Sequence, residues 1–232
     1  MNKVIFWDFD GTVVFSERVW GNSMVAALED VLPNCSVGVA DIYEKRPKDS
    51  YPWDKSQYDY LHLLGERLWW ANMEEHFEET YVACGVDKAA ANAAAKNVRG
   101  HILKPERYRE YPYARTALEI AKELGYKNYI LSNNYPELPH VMELMGFAKY
   151  FDGVLTSGLV GYEKPRMEIF EYAKKKAGNP ELSVMVGDNP VADIEGGKAA
   201  GMVTIFVHSK RPSNADYKID SLEEIEAILK SL

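Results

Sequence analysis

Two aspartates, Asp8 and Asp10, follow the apolar run Val4-Ile5-Phe6-Trp7 with one residue between them, and Gly11 and Thr12 come next. Side chains alternate along an extended strand, so this spacing puts both carboxylates on one side and Phe9 on the other. Like charges held that close raise each other's pKa unless something positive sits between them. Further along, Ser132-Asn133-Asn134 follows Tyr129-Ile130-Leu131, Lys164 follows "GYE", and Asp188 and Asp193 lie in "VGDNPVAD". Taken singly, each has a plain structural reading: Ser132 as a helix cap, Lys164 as a surface lysine. Two acidic ends and two donor ends in register are hard to attribute to capping. Ligand sites in open parallel sheets form outside the carboxyl ends of the strands, where these residues would meet.

The residue types then suggest a chemistry. Asp8, Asp188 and Asp193 supply hard oxygen ligands that suit Mg²⁺, which would relieve the carboxylate repulsion and leave Asp8 ionised. Ser132 and Lys164 offer donors to a phosphoryl group. A carboxylate nucleophile facing a metal and a cationic clamp fits phosphoryl transfer through an aspartyl-phosphate. Asp10 can protonate the leaving oxygen and later take a proton from water. Gly11 lets the backbone approach closely, so the expected phosphate-binding set is Gly11, Ser132, Asn133 and Lys164. The Thr12 hydroxyl is expected to hold Asp10 in place.

The elements that must position these residues can be read from periodicity. Tyr129–Leu131, Val154-Leu155, Val184–Val186 and Val203–Val207 are short apolar runs bounded by polar or glycine signals. Between them lie amphipathic stretches, roughly Ala114 to Leu124, Pro136 to Met145, Pro165 to Ala177 and Pro190 to Ala200. Three open on a proline, which suits a first helical turn. Strands alternating with such helices predict an α/β fold, a Rossmann-like three-layer core around a parallel sheet. The stretch from about Phe15 to Lys104 reads almost entirely helical, interrupted by the irregular patch "EKRPKDSYPWDKS" from Glu44. The expected division is residues 1–15 and 105–232 as the catalytic core and 16–104 as an inserted helical cap domain.

Composition narrows the function classes. The 232 residues are 47% hydrophobic and 27% charged, the make-up of an ordinary globular protein. A net charge of −8 argues against a general nucleic-acid footprint. Cys35 and Cys84 do not read as a disulfide framework or zinc site. The N-terminal apolar run is short and broken by Asp8, so no signal peptide is expected. No stretch approaches the ~20 apolar residues of a membrane span. The expectation is a cytoplasmic protein without membrane or nucleic-acid partners, acting on a small phosphorylated metabolite as a monomer or homodimer.

Together "DFDGT", "LSNN", "EKP" and "VGDNPVAD" resemble, in order, the four motifs of the haloacid dehalogenase superfamily, and the likeness runs the length of the chain through "IEGGKAAGM" and "ADYKIDSLEEIEAIL". The resemblance is to the phosphatase branch whose helical cap follows the first motif, near phosphoglycolate phosphatase and β-phosphoglucomutase. It implies Asp8 as nucleophile and Asp10 as acid/base, with the Asp10 main-chain carbonyl also on the metal. It further implies Ser132 and Lys164 on the phosphoryl group, Asp188 on Mg²⁺, and Asp193 supporting the metal site. Members that displace halide lack an acid/base at the Asp10 position, so dehalogenation is not expected. Where relatives nearest phosphoglycolate phosphatase usually carry Asp, this chain has Phe15, before Ser16, which weakens transfer of their substrate. The alternatives are a sugar phosphomutase of the same fold, an idle relative without catalysis, and a receiver-like phosphorylated signalling module. The last is opposed by the large insert and the Asp8-x-Asp10 spacing. In the cap, Trp20, Trp69 and Trp70 read as helix-packing core, whereas Tyr43, Arg46, Tyr51 and Trp53 are the residues expected to reach substrate.

Overall fold

A computed structural model describes residues 1–15 and 18–232. The expected boundary between residues 15 and 16 falls at Ser16 and Glu17, outside the described residues. The chain begins with β1 (Lys3–Trp7), then four helices, α1 (Val19–Glu29), α2 (Val39–Lys45), α3 (Glu66–Ala83) and α4 (Lys88–Ile102). There follow α5 (Ala114–Glu123), β2 (Tyr126–Ser132), α6 (Leu138–Leu144), β3 (Gly153–Thr156), α7 (Ser157–Val160), α8 (Met167–Lys176) and β4 (Leu182–Gly187). A π-helical turn (Pro190–Glu195) runs into α9 (Gly196–Ala199), and β5 (Val203–Val207), β6 (Tyr217–Ile219) and α10 (Ile225–Ser231) complete the fold. The sheet order is β3-β2-β1-β4-β5-β6 and every pairing is parallel. The order reverses at β1, which lies between β2 and β4 and so places its carboxyl end at the switch point.

β1 earns that central place by being apolar on both faces, as a doubly covered parallel strand must be. Ile5 and Trp7 pack into the larger core with α5, α10 and the inserted helices, while Val4 and Phe6 pack with α8. All four are fully buried. The inserted helices form an apolar layer of their own: α1 packs on α4 and α4 on α3. The alanine-rich stretch of α4 is structural, since Ala91, Ala94 and Ala95 are buried against those helices and their small size lets the helix axes approach. No described helix is long and apolar enough to cross a membrane.

Two expectations are corrected. Of the three prolines read as helix openers, only Pro190 takes the first position of its helical turn, behind Asn189, whose side chain accepts from the Val191 and Ala192 amides. Pro136 and Pro165 stand two residues before α6 and α8. A ring that fixes φ serves a turn as readily as a first helical residue. The edge strand β6, three residues long, was not read from the sequence because so short a run shows no period.

The sheet and its covering helices are joined by one buried polar knot. Asn128, fully buried on β2, accepts from Trp7 Nε1 (3.0 Å) and donates to the carbonyls of Leu118 (2.9 Å) and Tyr150 (3.2 Å). Removing it deprives Trp7 Nε1 and the Tyr150 carbonyl of their bonds to it, while the Leu118 carbonyl keeps its place in the α5 ladder. Asn128→Ala is therefore expected to lower the unfolding free energy by about 2–4 kcal/mol in urea titrations, with the m-value unchanged.

Candidate active site

At the end of β1 the ladder continues for one residue, Asp8 N donating to Val186 O (2.9 Å), and the chain then turns back through bonds from Val13 N and Val14 N to Phe9 O. Phe9 is driven into the core, and Asp8 and Asp10 line one cavity of about 440 Å³. Ser132, Asn133, Lys164, Asp188 and Asp193 line the same cavity, so the sheet brings together the core residues singled out by chemistry except Thr12 and Gly11, the latter lying directly behind Asp188. Gly11 has φ +82°, and a Cβ there would sit 2.6 Å from the Asp188 carboxyl carbon. The position therefore demands glycine for conformation and for space.

Lys164 is the electrostatic centre. Its side chain is almost wholly buried, and Nζ donates to Asp193 Oδ1 (2.5 Å), Leu131 O (2.7 Å) and Asp8 Oδ1 (3.0 Å). An ammonium has three donors, and all three are engaged. Burial alone would pull the Lys164 pKa down, but the Asp193 and Asp8 charges outweigh it and hold it above the ordinary value. Asn133 fixes the loop itself, donating from Nδ2 to Lys164 O (2.9 Å) and accepting from Lys164 N (2.7 Å). Asn133, expected on the phosphate, thus spends its side chain on the backbone of the lysine. Asp193 does similar work: Oδ2 accepts from Asn189 N (2.9 Å), tying the Asp188 loop to Lys164.

The remaining carboxylates are held apart from that lysine. Burial, reinforced by the charge of Asp8, raises Asp10 to about 7, with Asn134 opposing the rise. Asn134 Nδ2 donates to Asp10 Oδ2 at 2.7 Å. The Thr12 hydroxyl, expected in that role, is buried without any hydrogen-bond partner. Asp188 is raised to about 6, first by burial and then by Asp8. It is paired with Arg211, whose Nη2 donates to Asp188 O (2.6 Å) and Oδ2 (3.3 Å). Asp8, Asp188 and Asp193 each present an oxygen within 4.8 Å of the other two, a donor set of hard oxygens that fits a small divalent cation. The Asp10 carboxylate stands outside that triad.

The cap residues divide differently from expectation. Trp53 reaches the cavity, joined by Trp20, Val19 and Ser56, but Tyr43, Arg46 and Tyr51 do not line it. Tyr43 is half-exposed beside Gly21, and Tyr51 is buried in the cap. Arg46 is committed to Asp54 (2.8 Å) and lies over the Tyr51 ring (4.5 Å). Trp20 was read as core from its helical spacing. It has core contacts on one side and the cavity on the other, a double role that periodicity cannot show. Asn134, Trp20 and Arg211 were missed; for Asn134 the signal was its place beside Ser132 and Asn133. Phe15 stacks on Tyr111 at 3.8 Å with the Arg109 guanidinium over its other side (3.9 Å), so this departure from the acidic pattern is packed in a ring column.

Comparison with known proteins places the chain in a family. The family model of haloacid dehalogenase-like hydrolases matches residues 2–201. The chain is 38% identical over 161 residues to the pyrimidine 5'-nucleotidase YjjG of Escherichia coli, covering 66% of this chain and 69% of that protein. It is 27% identical to the glyceraldehyde 3-phosphate phosphatase of Pyrococcus furiosus, over 98% of this chain and 93% of that one. Its fold matches that of the magnesium-bound HAD-hydrolase YfnB of Bacillus subtilis with a TM-score of 0.75 at 18% identity, over 98% of both chains. The protein is a member of the haloacid dehalogenase-like hydrolase family.

A second buried acid neighbours the site. Glu163 is raised to about 8 by burial, and its Oε2 has no partner. Asp10, Asp188 and Glu163 all have folded pKa values above their unfolded ones, so the folded state holds extra protons between about pH 4 and 8. Their contribution to stability is complete at the acid end of that window and is lost as pH rises through it. In chelator, the melting temperature is expected to fall from pH 5 to pH 8, and Glu163→Gln should flatten the upper part of that slope; a slope unchanged in the variant would count against a neutral Glu163. Gly11→Ala should fold with a displaced Asp188 and lose divalent-cation binding by at least tenfold, measured by calorimetry.

Proposed function

We propose that the protein is a Mg²⁺-dependent phosphatase that hydrolyses small phosphate monoesters through a phosphoryl group carried on Asp8. The observation that carries this reading is the charge of the cavity. Asp8, Asp10, Asp188 and Asp193 line it, and Lys164 is the one cationic side chain among the described lining residues. Such a site repels a phosphate dianion unless a further cation enters, and the Asp8, Asp188 and Asp193 oxygens are placed to hold one. When bound, Mg²⁺ supplies charge neutralisation and a Lewis-acid contact for the phosphoryl oxygens.

The chain's own residues supply the rest. Asp8, oriented by the Lys164 ammonium, attacks phosphorus, and the bond from phosphorus to the ester oxygen breaks as the Asp8–phosphorus bond forms. Asp10, raised to about 7, holds a proton near neutrality and gives it to the departing alkoxide. Water then attacks the phosphoryl group, Asp10 takes its proton, and Asp8 is released with inorganic phosphate. Ser132, buried at the end of β2 and lining the cavity, donates to the phosphoryl group, and Lys164 turns donors toward it as substrate replaces its resting contacts. The retention of Asp10, held by Asn134, supports phosphoryl transfer over halide displacement, which needs no proton.

In this reading residues 1–15 and 105–232 form the catalytic core and 16–104 the cap that reads the leaving group. The free thiols Cys35 and Cys84 suit a reducing cytoplasm.

Activity on a phosphate monoester is expected to require Mg²⁺, vanish in excess chelator and be inhibited by Ca²⁺, whose larger and looser shell disturbs in-line geometry. Asp8→Asn should abolish phosphoenzyme in rapid-quench mass spectrometry. Asp10→Asn should instead accumulate it with p-nitrophenyl phosphate, because loss of the base slows hydrolysis by roughly 10²–10⁴-fold. A phosphoryl adduct on the Asp8 variant would reverse the assigned roles.

A further inference from the structure

Trp20 is the hub of a ring cluster. Its centroid lies within 6.4 Å of those of Tyr51, Trp53, Trp69, Trp70, Phe77 and Tyr135. Five of the seven rings are closed to solvent; only Trp20 and Trp53 stay partly exposed, and both face the cavity that holds the carboxylates. An apolar aromatic surface left open opposite a charged site is one that a ligand covers.

The platform is built to be rigid. Trp53 sits in the 3-10 turn Pro52–Lys55, packed on Trp20 (5.2 Å) and Tyr51 (4.9 Å). Asp54 caps that turn by accepting from Tyr51 N (3.2 Å), and Arg46 pairs with the same carboxylate. The segment that follows the turn is fastened to the loop that carries Lys164: Tyr60 N donates to Gly161 O (2.7 Å) and Arg166 Nη1 to Gln57 O (3.0 Å). Arg46 is neutralised by Asp54, Lys48 and Arg67 are exposed, and neither these nor Lys55, within the turn itself, line the cavity. Thus no described cap residue that lines the cavity carries a positive charge to pair with a second anionic group on a substrate.

We infer that the leaving group is a planar, uncharged ring system, a nucleobase-bearing sugar or an aryl alcohol, seated on Trp53 and Trp20, and that Trp53 is the residue that selects it. The inference rests on the phosphatase reading and narrows its substrate class. It assigns Arg46 a positioning part, holding Asp54 and through it the Trp53 turn.

The test compares kcat/KM of the Mg²⁺-loaded protein on uridine 5'-monophosphate, phenyl phosphate, glycerol 1-phosphate and 2-phosphoglycolate. Ring esters are expected to exceed glycerol 1-phosphate by at least tenfold, with 2-phosphoglycolate the poorest; the better of the two ring esters tells nucleobase from aryl group. Stacking on one aromatic side chain is worth about 1–3 kcal/mol, so Trp53→Ala should shrink the ring-to-glycerol ratio by about 5- to 150-fold. Trp53→Phe should restore most of it, and Arg46→Ala should reduce it less. Equal turnover of ring and glycerol esters, or an equal loss on every ester in Trp53→Ala, overturns the inference. Turnover of none of the four would overturn the phosphatase reading instead. Calorimetry on the Asp8→Asn protein then decides the platform separately: uridine 5'-monophosphate binding tenfold tighter than glycerol 1-phosphate, and weakened by adding Trp53→Ala, supports it, and equal binding overturns it.

Discussion

The structure depends on a single buried ammonium. Lys164 stands between Asp8 and Asp193 with all its donors used, and without it the carboxyl ends of β1 and β4 would gather buried carboxylates that no packing could offset. Its hold is reinforced from the backbone by Asn133 and from the next loop by Asp193, which also grips Asn189. One cation thereby joins the loops after β1, β2, β3 and β4. The same arrangement leaves the cavity short of positive charge. That deficit of positive charge is what the proposed divalent cation would make good.

Neighbouring carboxylates are made unlike by their partners. Asp8 is paired with the ammonium, Asp10 with a neutral amide, and Asp188 with a half-exposed guanidinium. Residues of one chemical type are thus set in different electrostatic surroundings, because burial and charge act on each differently. The turn that separates Asp8 from Asp10 relies on a glycine whose missing side chain is the space occupied by Asp188.

The cap contributes by shape more than by charge. Its helices close a ring cluster around Trp20, and its irregular patch delivers Trp53 over the site while burying Tyr51 and neutralising Arg46. The segment that follows the patch is bonded to the Lys164 loop, which ties Trp53 and the lysine beside Asp8 into one framework. Trp70 Nε1 and Arg99 add a second tether through Glu137, which lies just before α6.

By itself the sequence determined the α/β alternation, the helical insert and most of the polar core residues that the fold gathers in one cavity. Those signals are local: an apolar run that ends on a carboxylate, or a helix period of apolar residues, is written within a few positions. Short elements such as β6 and the true start of α6 and α8 escaped, since three residues carry no period and a proline serves a turn and a helix equally. Tertiary structure alone decided the partners. Asn134 meets Asp10 across 124 residues and Lys164 meets Asp8 across 156, contacts that exist only because the sheet order sets β2 beside β1 and β3 beside β2. It also decided that Trp20 opens to the cavity while Tyr51 does not, because which face of a packed ring stays uncovered depends on the neighbours that close around it.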